Sequence, residues 1–428
     1  MNRSRRRKQV VKQVFWIGIL LGFALAYGCN QRAPINQSRS DLPGIEVPPP
    51  EPQPYSTEAT LLAVGDIMMH GSQIKSGYNS QIKTYNYDNF FTEVQPILHR
   101  GNWVIGNLET TLAGPEAKYT GYPRFNAPAP LADAIKTAGF NILTTANNHS
   151  LDRGEKGVLK TLENLRSRGL KPVGTAASLT EAQNILRVEK NQIDMAILAY
   201  TYGTNGIPIP QGKDYLVAVI DEAKIIQDIQ TARASGADIV TVALHFGSEY
   251  QRQPNTQQKT LVKNLVNAGA DIILGSHPHV VQPYEIFEQT NTDGTQRKAV
   301  AIYSMGNFIS NQREKYRDLG VIFKVRLRKN FPEETIEISE VKGIPTWVHR
   351  YTAQGRYQFR ILPVEAVIGK RDDALLSSQT YDRLETYLDQ MNRHLNSLVI
   401  AANSKAQVNP ENHLNLQYQR DYLKLASS

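Results

Sequence analysis

Asp271-Ile272-Ile273-Leu274-Gly275-Ser276-His277-Pro278-His279 joins a short apolar run to two histidines flanking a proline. The run is β-branched and too short for a helix, so it reads as a buried strand. Just upstream, Thr256–Ala268 carries a helical pattern that stops at Gly269. Helix, glycine, strand and then polar groups is the order of an α/β unit, and in open α/β sheets ligands bind beyond the carboxyl ends of the strands. The same order recurs along the chain. Leu61–Val64 runs into Gly65-Asp66, with His70 shortly after; Trp103–Ile105 runs into Gly106-Asn107-Leu108-Glu109; Ile142–Ala146 runs into Asn147-Asn148-His149; Val240–Leu244 delivers His245. Helical patterns over Ala129–Ala138, Lys156–Arg168 and Asp221–Ala234 lie between them and end near Gly139, Gly169 and Gly236. Asp, Glu, Asn and His are the ligand types for hard or borderline divalent ions. Five strand ends carrying them point to a metal-dependent enzyme on stacked α/β layers.

Each candidate has a plainer reading beside the functional one. In an extended segment residues two apart face the same side, so His277 and His279 are expected to serve one site, with Pro278 restricting the backbone between them; the plainer reading is two solvated loop histidines. Asp66 is a ligand or an ordinary turn aspartate, on a turn that Gly65 permits. His70 is a second ligand or a polar residue of the following helix. Glu109 is a central carboxylate or a surface residue opening a loop. Asn148 offers a neutral carbonyl oxygen, and His149 beside it could protonate a leaving oxygen, with Asp152 accepting from its ring; alternatively the segment is an Asn-rich turn. Glu249, in His245-Phe246-Gly247-Ser248-Glu249, could meet substrate, metal or a ring nitrogen. Asn307, in Ser304-Met305-Gly306-Asn307-Phe308, reads as a residue that holds its loop by side-chain hydrogen bonds.

The 428 residues carry a net charge of +8, but much of the excess sits in Arg3, Arg5, Arg6, Arg7, Lys8 and Lys12. No basic stripe interleaved with aromatics follows, which argues against nucleic-acid binding. The basic tail leads into the apolar stretch Val14–Tyr27, a secretory signal pattern or a membrane anchor. The single cysteine, Cys29, follows directly and could be a lipidation site. Asn30–Ser56 is polar and rich in proline, a tether that cannot bury enough surface to fold. The domain is therefore expected to be exported and, with one cysteine, to lack internal disulfides. After Phe308 come strand patterns without helices, over Gly320–Arg328, Thr335–Lys342, Thr346–Arg350 and Tyr357–Pro363, expected to pair antiparallel and complete a second sheet. Gln379–Ile400 then reads as an amphipathic helix.

Taken in order, the motifs from Thr60 to Phe308 resemble the CapA family of capsule and poly-γ-glutamate synthesis proteins, related to calcineurin-like metallophosphoesterases. The resemblance implies an α/β fold, a four-layer αββα sandwich of metallophosphatase type, with two metal ions at the strand ends. Asp66, Glu109, Asn148, His245, His277 and His279 would hold them, Glu109 as the bridge, and His149 would be the acid. Metallophosphoesterases usually open with Asp-x-His and supply Asp in the second motif; here Ile67-Met68-Met69 separates Asp66 from His70, and Glu109 stands in. The mixed oxygen and nitrogen set suits Mn, Fe or Zn. The expected division is residues 1–29 as signal or anchor, 30–56 as linker, 57–365 as the CapA-like domain and 366–428 as a helical extension. Two functions fit these motifs. One is an exported metal-dependent hydrolase acting on a phosphoester, other ester or amide bond of an envelope polymer. The other is a non-catalytic envelope component that binds an anionic polymer and assists its synthesis or export, alongside polymer synthase subunits at the membrane.

Overall fold

The computed structural model describes residues 53–290 and 294–407, with side chains to residue 402. The basic tail, Val14–Tyr27, Cys29 and most of the Pro-rich segment lie outside the described residues. Among the described residues no helix is long and apolar enough to cross a membrane.

Alternation along the strands builds the architecture, because successive side chains leave a strand on opposite faces. In the strand Tyr55–Ile67, Leu61 and Ala63 enter one apolar cluster while Leu62 and Val64 enter another. The first cluster lies between two sheets: it also takes Ile272 and Leu274 from the strand Ile272–Ser276 and Ile197 from Ile193–Thr201. The second cluster lies under the helix Pro130–Ala138, whose Leu131, Ile135 and Ala138 are buried in it. On the far side Ile273 packs with Ile225 and Ile229 of the helix Glu222–Ala234 and with Val262 and Leu265 of Thr256–Asn267. The result is a mixed α/β fold layered helix, sheet, sheet, helix.

The first sheet runs Arg356–Pro363, Thr335–Ala353, Leu319–Phe331, Tyr55–Ile67, Trp103–Leu108, Ile142–Thr144, Lys171–Val173, with the short strand Asn307–Ile309 paired to Tyr55–Ile67. The second runs Val281–Thr290, Gln296–Met305, Ile272–Ser276, Ile239–His245, Ile193–Thr201, Leu186–Lys190. Each has a parallel centre, so the carboxyl ends of Tyr55–Ile67, Trp103–Leu108 and Ile142–Thr144 share one rim, and those of Ile239–His245 and Ile272–Ser276 share another. The helices fall where their boundary residues dictate. Asp221 and Asn255 accept from the backbone N–H groups of Lys224 and Gln258, and Gly139 closes Pro130–Ala138 at φ +112°.

Several expectations change here. The strands after Phe308 extend the first sheet instead of completing the second: Leu319–Phe331 pairs antiparallel with Tyr55–Ile67 from Tyr55↔Phe331 to Val64↔Ile322. Its alternating Leu319, Val321, Phe323, Val325 and Leu327 present one face to the inter-sheet cluster. Thr335–Lys342 and Thr346–Arg350 form one 19-residue strand, Thr335–Ala353. Pro345 does not break it, because the pairing with Arg356–Pro363 begins only at Thr346 and that side demands no bond from Pro345. The expected linker ends earlier, since Tyr55 is already in the sheet and stacks on Phe331 with centroids 4.6 Å apart. The helix expected over Gln379–Ile400 divides into Ser378–Leu395 and Ser397–Gln407 at Asn396, whose Oδ1 accepts from the Tyr284 hydroxyl at 2.5 Å. Tyr381, Leu384, Met391 and Leu395 belong to the inter-sheet cluster, so this helix is part of the core.

Two glycines in the site-bearing strands are required by close approach rather than by a turn. A Cβ on Gly65 would lie 1.9 Å from the Gly306 carbonyl oxygen, and one on Gly275 would lie 2.0 Å from that of Tyr303. Backbone cannot yield as a side chain does. Gly275→Ala should therefore destabilise the domain by about 1–3 kcal/mol or more, read as a lower denaturant midpoint; an unchanged midpoint would show that the second sheet accommodates the methyl group.

Candidate metal centre

The two rims meet. The first sheet brings Asp66, Glu109, Asn148 and His149; the second brings His245, His277 and His279, and all seven are buried. Asp66 lies between neighbours in register on both sides, Asn107 and Asn307, and its N–H donates to the Gly306 carbonyl at 2.9 Å. Glu109 leaves the end of its strand with its N–H on the Ile67 carbonyl at 3.1 Å.

Across the meeting line, His279 Nδ1 is 3.0 Å from Asp66 Oδ2, and His245 Nε2 is 2.9 Å from Asn148 Oδ1. Glu109 Oε1 is 3.6 Å from His245 Nε2 and 3.9 Å from His279 Nε2. Three overlapping groups have ligand atoms within 4.8 Å of one another: Glu109 with His245 and His277, Asp66 with Glu109 and His279, and Glu249 with His277 and His279. Glu109 is common to the first two, the place of a bridge.

Neither carboxylate oxygen of Glu109 has a hydrogen-bond partner, nor has His277 Nδ1, although all three are buried. A buried polar group without a partner is costly, and a buried carboxylate more so. Burial accordingly pushes the Glu109 carboxyl well above the usual carboxylate range, and the negative charge of Asp66 pushes it further. Burial holds the His245 imidazole well below its ordinary value, with His277 adding to the effect, and holds His277 at about 4, with His279 contributing next. Neutral imidazoles beside a buried carboxylate, with His277 Nδ1 and both Glu109 oxygens unpartnered, are what a divalent cation requires of its ligands. The donor set present thus fits a divalent metal site.

The histidine pair departs from the extended geometry expected of it. His277 and His279 both take positive φ, +97° and +57°. Their rings converge nonetheless, with centroids 5.9 Å apart, because the backbone coils around Pro278 and not because alternate residues share a face. Such φ values cost about 1–3 kcal/mol each outside glycine. Part of the fixing is visible: the Pro278 carbonyl accepts from Tyr250 N–H at 2.7 Å, and the His279 carbonyl lies 3.3 Å from Asn307 Nδ2.

A further layer orients the ligands. Asn107 donates to Asp66 Oδ1 at 2.8 Å and its Nδ2 lies 3.2 Å from His245 Nδ1, which also meets Ser276 Oγ at 2.9 Å. Asn148 Nδ2 is held by Asn205 Oδ1 at 3.2 Å, which leaves the Asn148 carbonyl oxygen for His245 and the centre. His149 belongs to none of the three groups. Its Nδ1 is 2.7 Å from Asp152 Oδ2, which also accepts from Phe125 N–H at 2.5 Å, and the Phe125 ring meets it edge-on at 4.6 Å. Nε2 is thereby left for chemistry.

Of the other candidates, Glu249 is exposed and joins the His277–His279 group. His70 stands outside all three groups: its Nδ1 is 3.2 Å from Gln73 Oε1 and 3.3 Å from Asn311 N, and burial lowers it to about 4. Asn307 does hold its loop, donating to the Arg317 carbonyl at 2.8 Å and to Gln312 Oε1 at 3.0 Å, while its Oδ1 is buried without a partner. The sequence reading missed Asn107 and Ser276 as orienting groups, though both stand inside motifs it quoted. It also missed Asn205, Tyr202 and Tyr250: Tyr202 directly follows the strand Ile193–Thr201, whose end carries no metal-ligand residue type, and the other two lie in loops beyond strand ends.

Residues 60–312 match the family described as bacterial capsule synthesis protein PGA_cap. The chain belongs to that family. A capsule biosynthesis protein CapA of Bacillus anthracis is 31% identical over 284 residues, 63% of this chain and 64% of that protein. The chain thus spans less than two thirds of that relative. A PGA biosynthesis protein CapA of Bacillus subtilis is 30% identical over 319 residues, 69% of this chain and 76% of that protein. A calcineurin-like phosphoesterase, YfkN of B. subtilis, is more distant: 14% identity, TM-score 0.38, covering 78% of this chain and 100% of that one. At that score the likeness carries no weight beside the family match.

For this PGA_cap protein, His277→Ala and His279→Ala should each sharply reduce bound divalent metal, measured by elemental analysis after dialysis, while the far-UV circular dichroism stays that of the wild type. Stoichiometric metal in the double variant would remove these residues from the centre.

Proposed function

We infer that this chain is an exported, membrane-anchored hydrolase in the synthesis of a capsule-type anionic polymer of the poly-γ-glutamate class. The observation that carries this reading is Glu109: a buried carboxylate with no donor, shared by two overlapping ligand groups drawn from both sheets. Two divalent ions, Mn, Fe or Zn, would be held by Asp66, Glu109, Asn148, His245, His277 and His279. When bound, such ions supply Lewis acidity at a scissile phosphoryl or acyl group and lower the pKa of water. The export and anchor rest on the basic tail, Val14–Tyr27 and Cys29, and polymer synthase subunits at the membrane are proposed as partners, the relatives being named for capsule and PGA biosynthesis.

The protein's own part is proton transfer. His149 is kept off the metal groups and locked by Asp152, so it can give a proton from Nε2 to a departing oxygen or nitrogen. His149→Ala should keep metal near wild type and slow turnover by roughly 10²–10⁴-fold, the scale of one positioned donor. The loss should shrink for substrates whose leaving group is already acidic, because those groups leave without a proton. An equal loss for every leaving group would remove His149 as the acid. Absence of turnover by the intact, metal-loaded protein across phosphoester and γ-glutamyl substrates would favour a binding component instead.

A further inference from the structure

One margin of the second sheet is incomplete. The edge strand Leu186–Lys190 pairs with Ile193–Thr201 only as far as Leu186↔Ile197. The same side of Ile193–Thr201 is taken up again at Thr201, whose N–H donates to the Ala218 carbonyl at 2.9 Å and whose carbonyl accepts from Ile220 N–H at 2.8 Å. Between these points no strand lies beside residues 198–200 on that side, and a cavity of about 740 Å³ fills the gap. Small-molecule sites run to roughly 300–1,000 Å³. The cavity shares no residue with the three metal-ligand groups.

Its floor is apolar and bent. Val173, Ile197 and Ala199 line it from the inter-sheet cluster, and Leu198 and Tyr200 line it from the helix-side cluster. Alternate residues of one strand face opposite ways, so the cavity passes round the strand edge from one face of the sheet to the other. At its mouth Leu179 is 60% and Val219 40% exposed. Left to water, such walls forfeit the contacts that a filled interior supplies. The polar groups of the lining are already engaged. The Tyr200 hydroxyl donates to Asp228 Oδ2 at 2.7 Å, and Lys224 pairs with the same carboxylate. Glu181 pairs with Arg166 and accepts from Ala177 N–H at 3.1 Å, while Arg187 is held by Asp194 and Ser235. Among the described residues Asp214, which is exposed, is the one charged side chain of the lining outside an ion pair. The cavity thus offers an anionic group no uncommitted cation and one carboxylate that repels it.

We propose that this cavity binds one flexible alkyl or acyl chain that bears no negative charge. A chain bends round the strand edge where a rigid ring system does not. Its burial removes apolar surface from water on both sides of the contact, and methylene groups ask for no partner from a lining whose polar groups have theirs. This site is independent of the hydrolase reading and stands or falls without it.

The test uses the full chain in cholate, a detergent without an alkyl chain, photolysed with a diazirine-bearing 1-dodecanol and mapped by peptide mass spectrometry. Adducts should concentrate on residues 172–187, 197–200 and 214–219. Leu179→Asp and Ala182→Trp alter exposed positions of the lining. Each should lower labelling of residues 197–200 by about tenfold, the scale of one lost apolar contact, with an unchanged denaturant midpoint. The matching dodecanoate probe should label less than the alcohol, and Asp214→Asn should narrow that difference. Suppression by added phosphatidylcholine identifies a membrane lipid tail as the occupant, and suppression by free dodecanol alone identifies a free amphiphile; either supports the chain. Labelling of residues 197–200 no stronger than that around the exposed Tyr357 overturns the site, as does labelling unmoved in both variants. Equal labelling by a diazirine-bearing adamantanol overturns the flexible chain as its ligand. Dodecanoate labelling as strongly as dodecanol overturns the exclusion of negative charge.

Discussion

The arrangement depends on one unsatisfied group. Glu109 is brought out of water at the meeting line of two sheets, and its own chain gives it no donor. The cost of burying a charge in this way is on the order of several kcal/mol, and without a cation the carboxyl answers by holding its proton, its pKa pushed far up. Around it the opposite adjustment occurs: His245 and His277 are held neutral by the same burial. One dry environment drives acid and base groups alike to their neutral forms, and it leaves Glu109 and His277 Nδ1 without partners. That shared frustration, and not any single contact, makes the centre a candidate receptor for metal.

The fold supports this frustration by spreading it over both sheets. Asp66, Glu109 and Asn148 come from three parallel strands of one sheet, His245, His277 and His279 from two of the other, and the apolar cluster between the sheets fixes their separation. No one strand could hold both carboxylates and three imidazoles at hydrogen-bonding range, because neighbours in a strand point apart. The bonds between side chains that cross the line, His279 to Asp66 and His245 to Asn148 and Asn107, are few. Their geometry therefore rests on sheet packing, and a substitution deep in the core reaches the centre through it.

How far the sequence carried the reading follows from what kind of signal each residue gave. Strand-end motifs named every residue of the three ligand groups, because an apolar run that stops at a polar ligand type is a local pattern. The pairing of Leu319–Phe331 with Tyr55–Ile67 was not legible, since antiparallel partners far apart in the chain share no local mark, and the strands were assigned to the wrong sheet. The continuity of Thr335–Ala353 through Pro345 was hidden for a related reason: a proline breaks a strand only where a neighbour needs its N–H, and the neighbour is a tertiary fact. Gly65 and Gly275 were visible as glycines, but the reason for them, a backbone carbonyl from a distant residue, was not.

The His277-Pro278-His279 segment shows how a correct residue assignment can rest on a wrong local geometry. Alternation in an extended strand would aim both rings to one side at no cost, yet both residues sit at positive φ. Strain of this kind persists only where surroundings over-determine it, and here the Pro278 and His279 carbonyls are each engaged, by Tyr250 and by Asn307. Tyr250 is itself at φ +66° and also contacts the His279 ring, so the loop that fixes the histidines is the loop that presents an exposed tyrosine to solvent. Asn307 links the same carbonyl to Gln312 and to the backbone of Arg317. The strained ligand turn, Tyr250 and the backbone of Arg317 are thus tied into one unit. The backbone conformation of the two histidines is held through hydrogen bonds from Tyr250 and Asn307, so a substitution in either loop bears directly on it.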